Sequence, residues 1–167
     1  MKTRLSCGFS GSGASDLLIE HGPTIYVDIG FDPTWRQGRI PAAKKRNVPA
    51  LVDTGALESF IDCELATDLD LPISDRRQIS GSGGRHEVDV YTAQVYVPAF
   101  EFTVYGQFAG VYLSSGGTNF RVLMGRNVSE VFHVNVRWTN WPRHINHVSC
   151  VAALTALLSE TATQFRK

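Results

Sequence analysis

The chain has 167 residues, 43% of them hydrophobic, which allows one core and hardly two. Lys plus Arg equals Asp plus Glu at 16 each, so there is no electrostatic case for nucleic acid or an anionic membrane as the main partner. Three widely spaced cysteines, Cys7, Cys63 and Cys150, form no disulfide framework and fit a reducing, cytoplasmic setting. No apolar run follows Lys2 and Arg4, so neither a signal peptide nor a transmembrane segment is expected.

Residues 1–22 are rich in Gly and Ser and read as a mostly flexible arm. Residues 24–31 alternate, with Ile25, Val27, Ile29 and Phe31 on one face of a half-buried strand. Residues 32–47 contain Pro33, Gly38, Pro41 and the Lys44-Lys45-Arg46 cluster, and read as a long solvated loop. Residues 48–52 form a short apolar strand that ends at Asp53. Residues 58–71 start as a strand and turn into a short helix closed by Pro72. A glycine-rich hairpin tip is expected at 79–84. A long alternating strand follows at 87–97, with a change of register near Ala93 and Gln94. Further strands are expected at 100–106, 107–113, 120–125 and 131–138, with a turn at 114–119. Val148, Val151, Leu154 and Leu158 then recur at helical spacing, which predicts an amphipathic helix of about three turns over 148–160. Many short strands and one convincing helix mean a mainly-β domain. The expected division is an arm at 1–22, one domain at 23–138 and a C-terminal extension at 139–167.

Asp53 follows the apolar run Ala50-Leu51-Val52 and precedes Thr54, Gly55 and Ala56. An Asp-Thr-Gly after a strand makes an ordinary turn, because Asp and Thr bond the local backbone and Gly supplies positive φ. It also places a carboxylate at a strand end, where it can react. Some seventy residues on, a second apolar run leads into Gly125, Arg126 and Asn127. The order is strand, acid and turn, then hairpin, then apolar strand and glycine.

Leu51-Val52-Asp53-Thr54-Gly55-Ala56 and Leu123-Met124-Gly125-Arg126-Asn127 together resemble the two signatures of retropepsin-like (retroviral-type) aspartic proteases, over roughly residues 24 to 138. The resemblance implies an acid-protease barrel with a flap hairpin and one short core helix; the C-terminal helix, and the thirty or so residues that hold it, depart from retroviral members. It implies an aspartic endopeptidase that cuts a peptide or protein substrate and uses no metal or cofactor. Such enzymes need two carboxylates around one water, one ionised as base and one protonated as acid; two acids in contact cannot both ionise, and the titration belongs to the pair. This chain has one Asp-Thr-Gly. The implied enzyme is therefore a homodimer, with the active site on its two-fold axis and Asp53 given by each protomer. A catalytically weak dimeric scaffold that binds peptides or proteins is the alternative.

The resemblance also assigns roles. Thr54 bonds across the axis, Gly55 lets substrate backbone approach, and Ala56 stands where many relatives carry serine. Gly81, Ser82, Gly83 and Gly84 form the flap tip, with a plain hairpin turn as the alternative. Arg85 and His86 make that tip more polar than retroviral ones, so retroviral specificity does not carry over. Leu123 and Met124 lead to Gly125-Arg126-Asn127, which packs beneath the catalytic loop. In retroviral members the arginine pairs with an acid two residues after the catalytic-loop glycine, a position held here by Leu57. That leaves Glu58, Asp62 or a partner chain for Arg126. His144, His147 and Cys150 are spaced three apart, but no fourth ligand is evident, and they read as structural residues.

Overall fold

A computed structural model describes residues 4–7, 14–81, 84–129, 133–139 and 147–153. The first elements are strand β1 (Arg4–Cys7) and helix α1 (Ala14–His21), within the span expected to be a mostly flexible arm. Strand β2 (Thr24–Gly30) follows its alternation: Ile25, Val27 and Ile29 are buried and Tyr26 is exposed. After the long loop come β3 (Lys45–Val52), β4 (Phe60–Asp62) and the short helix α2 (Cys63–Asp68). Strands β5 (Ile73–Gly81) and β6 (Gly84–Val97) form a hairpin, and β7 (Phe102–Val111) runs back along β6. Strand β8 (Val122–Met124) and helix α3 (Arg126–Ser129) come next, and β9 (His133–Thr139) and β10 (His147–Ala153) follow.

The fold is mainly β. Strands β2, β3, β8, β4, β7 and β6 pair in that order, and β6 returns to β2, closing a six-stranded barrel with β5 annexed to the outer edge of β6. Closure leaves no unpaired edge among those six strands. The barrel interior holds Val27, Ile61, Leu65, Val95 and Phe108, all with no solvent exposure. Burial of this kind stabilises by about 25 cal/mol per Å² of apolar surface.

Two expectations change at the level of strands. The β6–β7 pairing runs in continuous register from Val90 to Val97, without the shift expected near Gln94. What breaks the alternation is a buried polar side chain. Gln94 Oε1 accepts from the Asp32 backbone N–H (2.7 Å), and its Nε2 donates to the Asp32 carbonyl (2.9 Å). Gln94 thus satisfies its own amide and fastens the start of the long loop to the barrel. The two strands expected at 100–106 and 107–113 are one, β7.

The third change is larger. Residues 147–153, which include the first part (148–153) of the expected amphipathic helix, form β10, in the middle of a three-stranded antiparallel sheet in the order β1, β10, β9. As the central strand, β10 finds backbone partners on both sides, which overrides helical spacing. Residues 154–160 lie outside the described residues, as does His144. Among the described residues no helix is long and apolar enough to cross a membrane.

Candidate active site

The region around Asp53 is built by a strand crossing. Ala50, Leu51 and Val52 of β3 pair in parallel with Val122, Leu123 and Met124 of β8. On its other side β8 pairs antiparallel with β4, Phe60 facing Leu123 and Ile61 facing Val122. The chain therefore leaves β3, passes over the end of β8 through residues 53–59, and enters β4 on the far side. Asp53 is the first residue of that bridge, half-buried, and its N–H extends the ladder by donating to the Met124 carbonyl (3.0 Å).

The bridge is held at each residue. Asp53 Oδ1 accepts from the backbone N–H of Gly55 (2.8 Å) and of Ala56 (3.2 Å), the Asx geometry that the Asp-Thr-Gly sequence suggests. The Ala56 carbonyl accepts from the Arg126 N–H (2.9 Å), and the Leu57 carbonyl from the Asn127 N–H (3.2 Å). The first turn of α3 thus donates its otherwise unsatisfied N–H groups to the loop above it. Gly125 lies directly underneath: a Cβ there would collide with the Glu58 carbonyl group and come within 3.1 Å of the Ala56 carbonyl oxygen. Gly125→Ala is expected to cost about 3 kcal/mol through this overpacking, since both obstacles are backbone. Urea denaturation of the two proteins measures it.

Ser59 is the residue that sequence reasoning missed. It is fully buried. Its hydroxyl accepts from the Gly125 N–H (3.0 Å) and donates to Asn127 Oδ1 (2.7 Å). It ties the end of the loop to both flanks of Arg126, across 66 and 68 residues of sequence. Its only local signal is a hydroxyl residue placed just before the apolar pair Phe60-Ile61.

The acids near the loop have partners of their own. Glu58 pairs with Arg77 of β5 (3.0 Å), and Asp62 with Arg121 (2.8 Å). Arg126 meets the loop through its backbone N–H. Asp62 is fully buried and caps α2 by accepting from the Leu65 N–H (3.1 Å); its second oxygen accepts from the Ser114 N–H (2.8 Å). Burial pushes its carboxyl up, but the hydrogen bonds from Ser114 and Leu65 and the Arg121 charge outweigh burial and hold it below the ordinary value.

Asp53, Gly55 and Ala56 therefore meet Met124, Gly125, Arg126 and Asn127 in one assembly, as the two motifs suggest, with Leu123 in the strand below. Thr54 is exposed at the crest. Gly81 and Gly84 face each other at the end of the β5–β6 hairpin, with Gly84 at φ +101°, where a side chain would be strained. Ser82 and Gly83 lie outside the described residues. The long loop packs elsewhere: Trp35 and Tyr105 have ring centroids 5.9 Å apart, and a cavity of about 800 Å³ opens between the loop and β7. Asn127 touches that cavity, and Asp53 does not line it.

A sequence profile described as aspartyl protease matches residues 37–128, more than half of the chain. No curated protein gives a match. Among solved structures the chain is similar to the EIAV protease complexed with the inhibitor HBY-793. That similarity is 17% in identity, covers 65% of this chain and 85% of that one, and has a TM-score of 0.43.

Proposed function

The chain belongs to the aspartyl protease family, and from that premise we propose that it is an aspartic endopeptidase working as a homodimer. The observation that carries the reading is the clamped bridge: Asp53 emerges at the end of β3 with one oxygen, Oδ1, taken up by two loop N–H groups. Such a carboxylate is oriented by backbone, at little further entropic cost when substrate arrives. The chain supplies one such group, and one carboxylate cannot act as base and acid together.

Two protomers meeting on a two-fold axis complete the site. The two Asp53 groups share a water and one proton. The ionised member takes a proton from the water as its oxygen attacks the scissile carbonyl carbon. The protonated member donates a hydrogen bond to the carbonyl oxygen, where negative charge develops. The tetrahedral intermediate then collapses: the C–N bond breaks, the nitrogen takes a proton from the dyad, and an amine and a carboxylic acid leave. Thr54, exposed on the loop, braces its twin across the axis, and Gly55 gives room for substrate backbone. The β5–β6 hairpin, with its glycine-rich tip, closes over an extended peptide.

Cleavage of a denatured peptide library from about pH 4 to pH 7 tests this, since a dyad sharing one proton works where only one member is ionised. The expected result is cleavage that an active-site aspartic-protease inhibitor blocks. Folded, dimeric protein that cuts nothing would leave the scaffold reading in place of the enzyme.

A further inference from the structure

We infer that Leu57 closes the dimer through an apolar contact with a second copy of this chain. The inference rests on the protease reading and specifies how its two halves are joined.

Proximity comes first. Leu57 is four residues from Asp53, so even a fully extended chain could separate them by no more than about 14 Å. The loop is far from extended: Asp53 Oδ1 holds Gly55 and Ala56, and the Leu57 carbonyl is pinned by Asn127. Two Asp53 carboxylates that share a water must come within about 3 Å of one another. A partner brought that close comes within reach of the surface on which Leu57 stands.

The chemistry of that surface comes second. Leu57 is 70% exposed, a large apolar side chain raised next to the reacting group. The acids that could reach across to a basic residue of the partner are already used within the chain. Glu58 is held by Arg77 at 3.0 Å and Asp62 by Arg121 at 2.8 Å, and the Ala56 and Leu57 carbonyls are bonded to the N–H groups of α3. The loop therefore presents Thr54 and Leu57 outward, with Glu58 and Asp62 each paired within the chain. A surface of that kind pairs by desolvating apolar area, and its closure does not depend on salt. A two-fold operator uses Leu57 twice in each dimer, so its effect is doubled.

Sedimentation equilibrium of the wild type, Leu57→Ala and Leu57→Asp, each at about 0.05 M and about 1 M salt, provides the test. Leu57 is exposed in the protomer, so both variants should fold, which circular dichroism checks. Leu57→Ala is expected to raise the dimer dissociation constant about 100-fold, and Leu57→Asp more, from two buried leucines lost per dimer. The wild-type constant should change less than about threefold with salt. A dimer that Leu57→Asp leaves unchanged, with a raised KM for peptide instead, would assign Leu57 to the substrate and overturn the inference while sparing the protease reading. A wild type that weakens steeply with salt would also overturn it. A wild type that stays monomeric at high concentration would remove the protease reading itself, and the inference with it.

Discussion

Asp53→Asn should lower kcat for peptide cleavage by about 10³-fold or more and leave the fold intact. The substitution is nearly isosteric. An asparagine Oδ1 still accepts the Gly55 and Ala56 N–H groups that Asp53 accepts at 2.8 and 3.2 Å, so the bridge over β8 keeps its shape. What disappears is the capacity to ionise and to pass on the shared proton. Mixing variant and wild-type chains sharpens the result. Each mixed dimer holds one Asp53, which cannot serve as base and acid at once. Random pairing of an equimolar mixture leaves about a quarter of the dimers with both carboxylates. Activity falling to about a quarter of wild type marks a shared dyad, and activity of about a half marks chains that act alone. Purified variants, a refolded mixture and thermal melts of each supply the comparison.

How much of this site was legible depends on how local its causes are. The two apolar runs and the residues after them, Asp53-Thr54-Gly55 and Gly125-Arg126-Asn127, follow from short patterns that fix a turn and a close approach. The barrel follows from many short alternating strands. The parallel pairing of β3 with β8 does not, because nothing local to Leu51 names Leu123 as its neighbour. Ser59 was invisible for the same reason: both of its hydrogen bonds go to residues at the other end of the domain. The charges show the limit most plainly. Glu58 and Asp62 were possible partners for Arg126, and each is held by another arginine that sequence spacing does not single out. At the C-terminal end, Val148, Val151 and Leu154 do recur at helical spacing. A strand can carry the same residues, and β10 is decided by the two neighbours that satisfy its backbone.

The brace and the cleft also differ in what they demand of the chain. The brace beneath Asp53 is made from backbone groups together with the Ser59 hydroxyl and the Asn127 side chain, so it tolerates few side-chain changes at Gly125. The surface above it is the reverse: Thr54 and Leu57 are exposed, and their identities are free to answer to a partner or a substrate. This division explains why Leu57 can stand at a position where retroviral relatives carry an acid. Main-chain bonds from Arg126 and Asn127 hold the loop at Ala56 and Leu57 whatever the side chain at 57.

Asp62→Ala is expected to destabilise the protein by about 4 kcal/mol at pH 7. Asp62 joins three elements: it caps α2 through Leu65, holds the segment at Ser114, and pairs with Arg121 at the entrance to β8. Its side chain has no solvent exposure. Removing it strands two backbone N–H groups and leaves the Arg121 guanidinium without its 2.8 Å partner, one step from β8, which carries Leu123 and leads to Gly125. The pH dependence has a definite sign. The folded carboxyl is held below its ordinary value of 3.8, so the folded state binds protons less readily than the unfolded chain. Its contribution is fully present above pH 3.8 and is lost as pH falls through the lowered folded value. Asp62→Asn keeps one oxygen, for Leu65, and loses the charge together with the acceptor for the Ser114 N–H. Its stability deficit against wild type should be constant from pH 7 down to about pH 5, and should shrink progressively below that. Urea unfolding at a series of pH values reads this directly. A deficit that stays the same at the lowest pH would mean that the Asp62 charge contributes nothing, and that its hydrogen bonds alone account for its effect on stability.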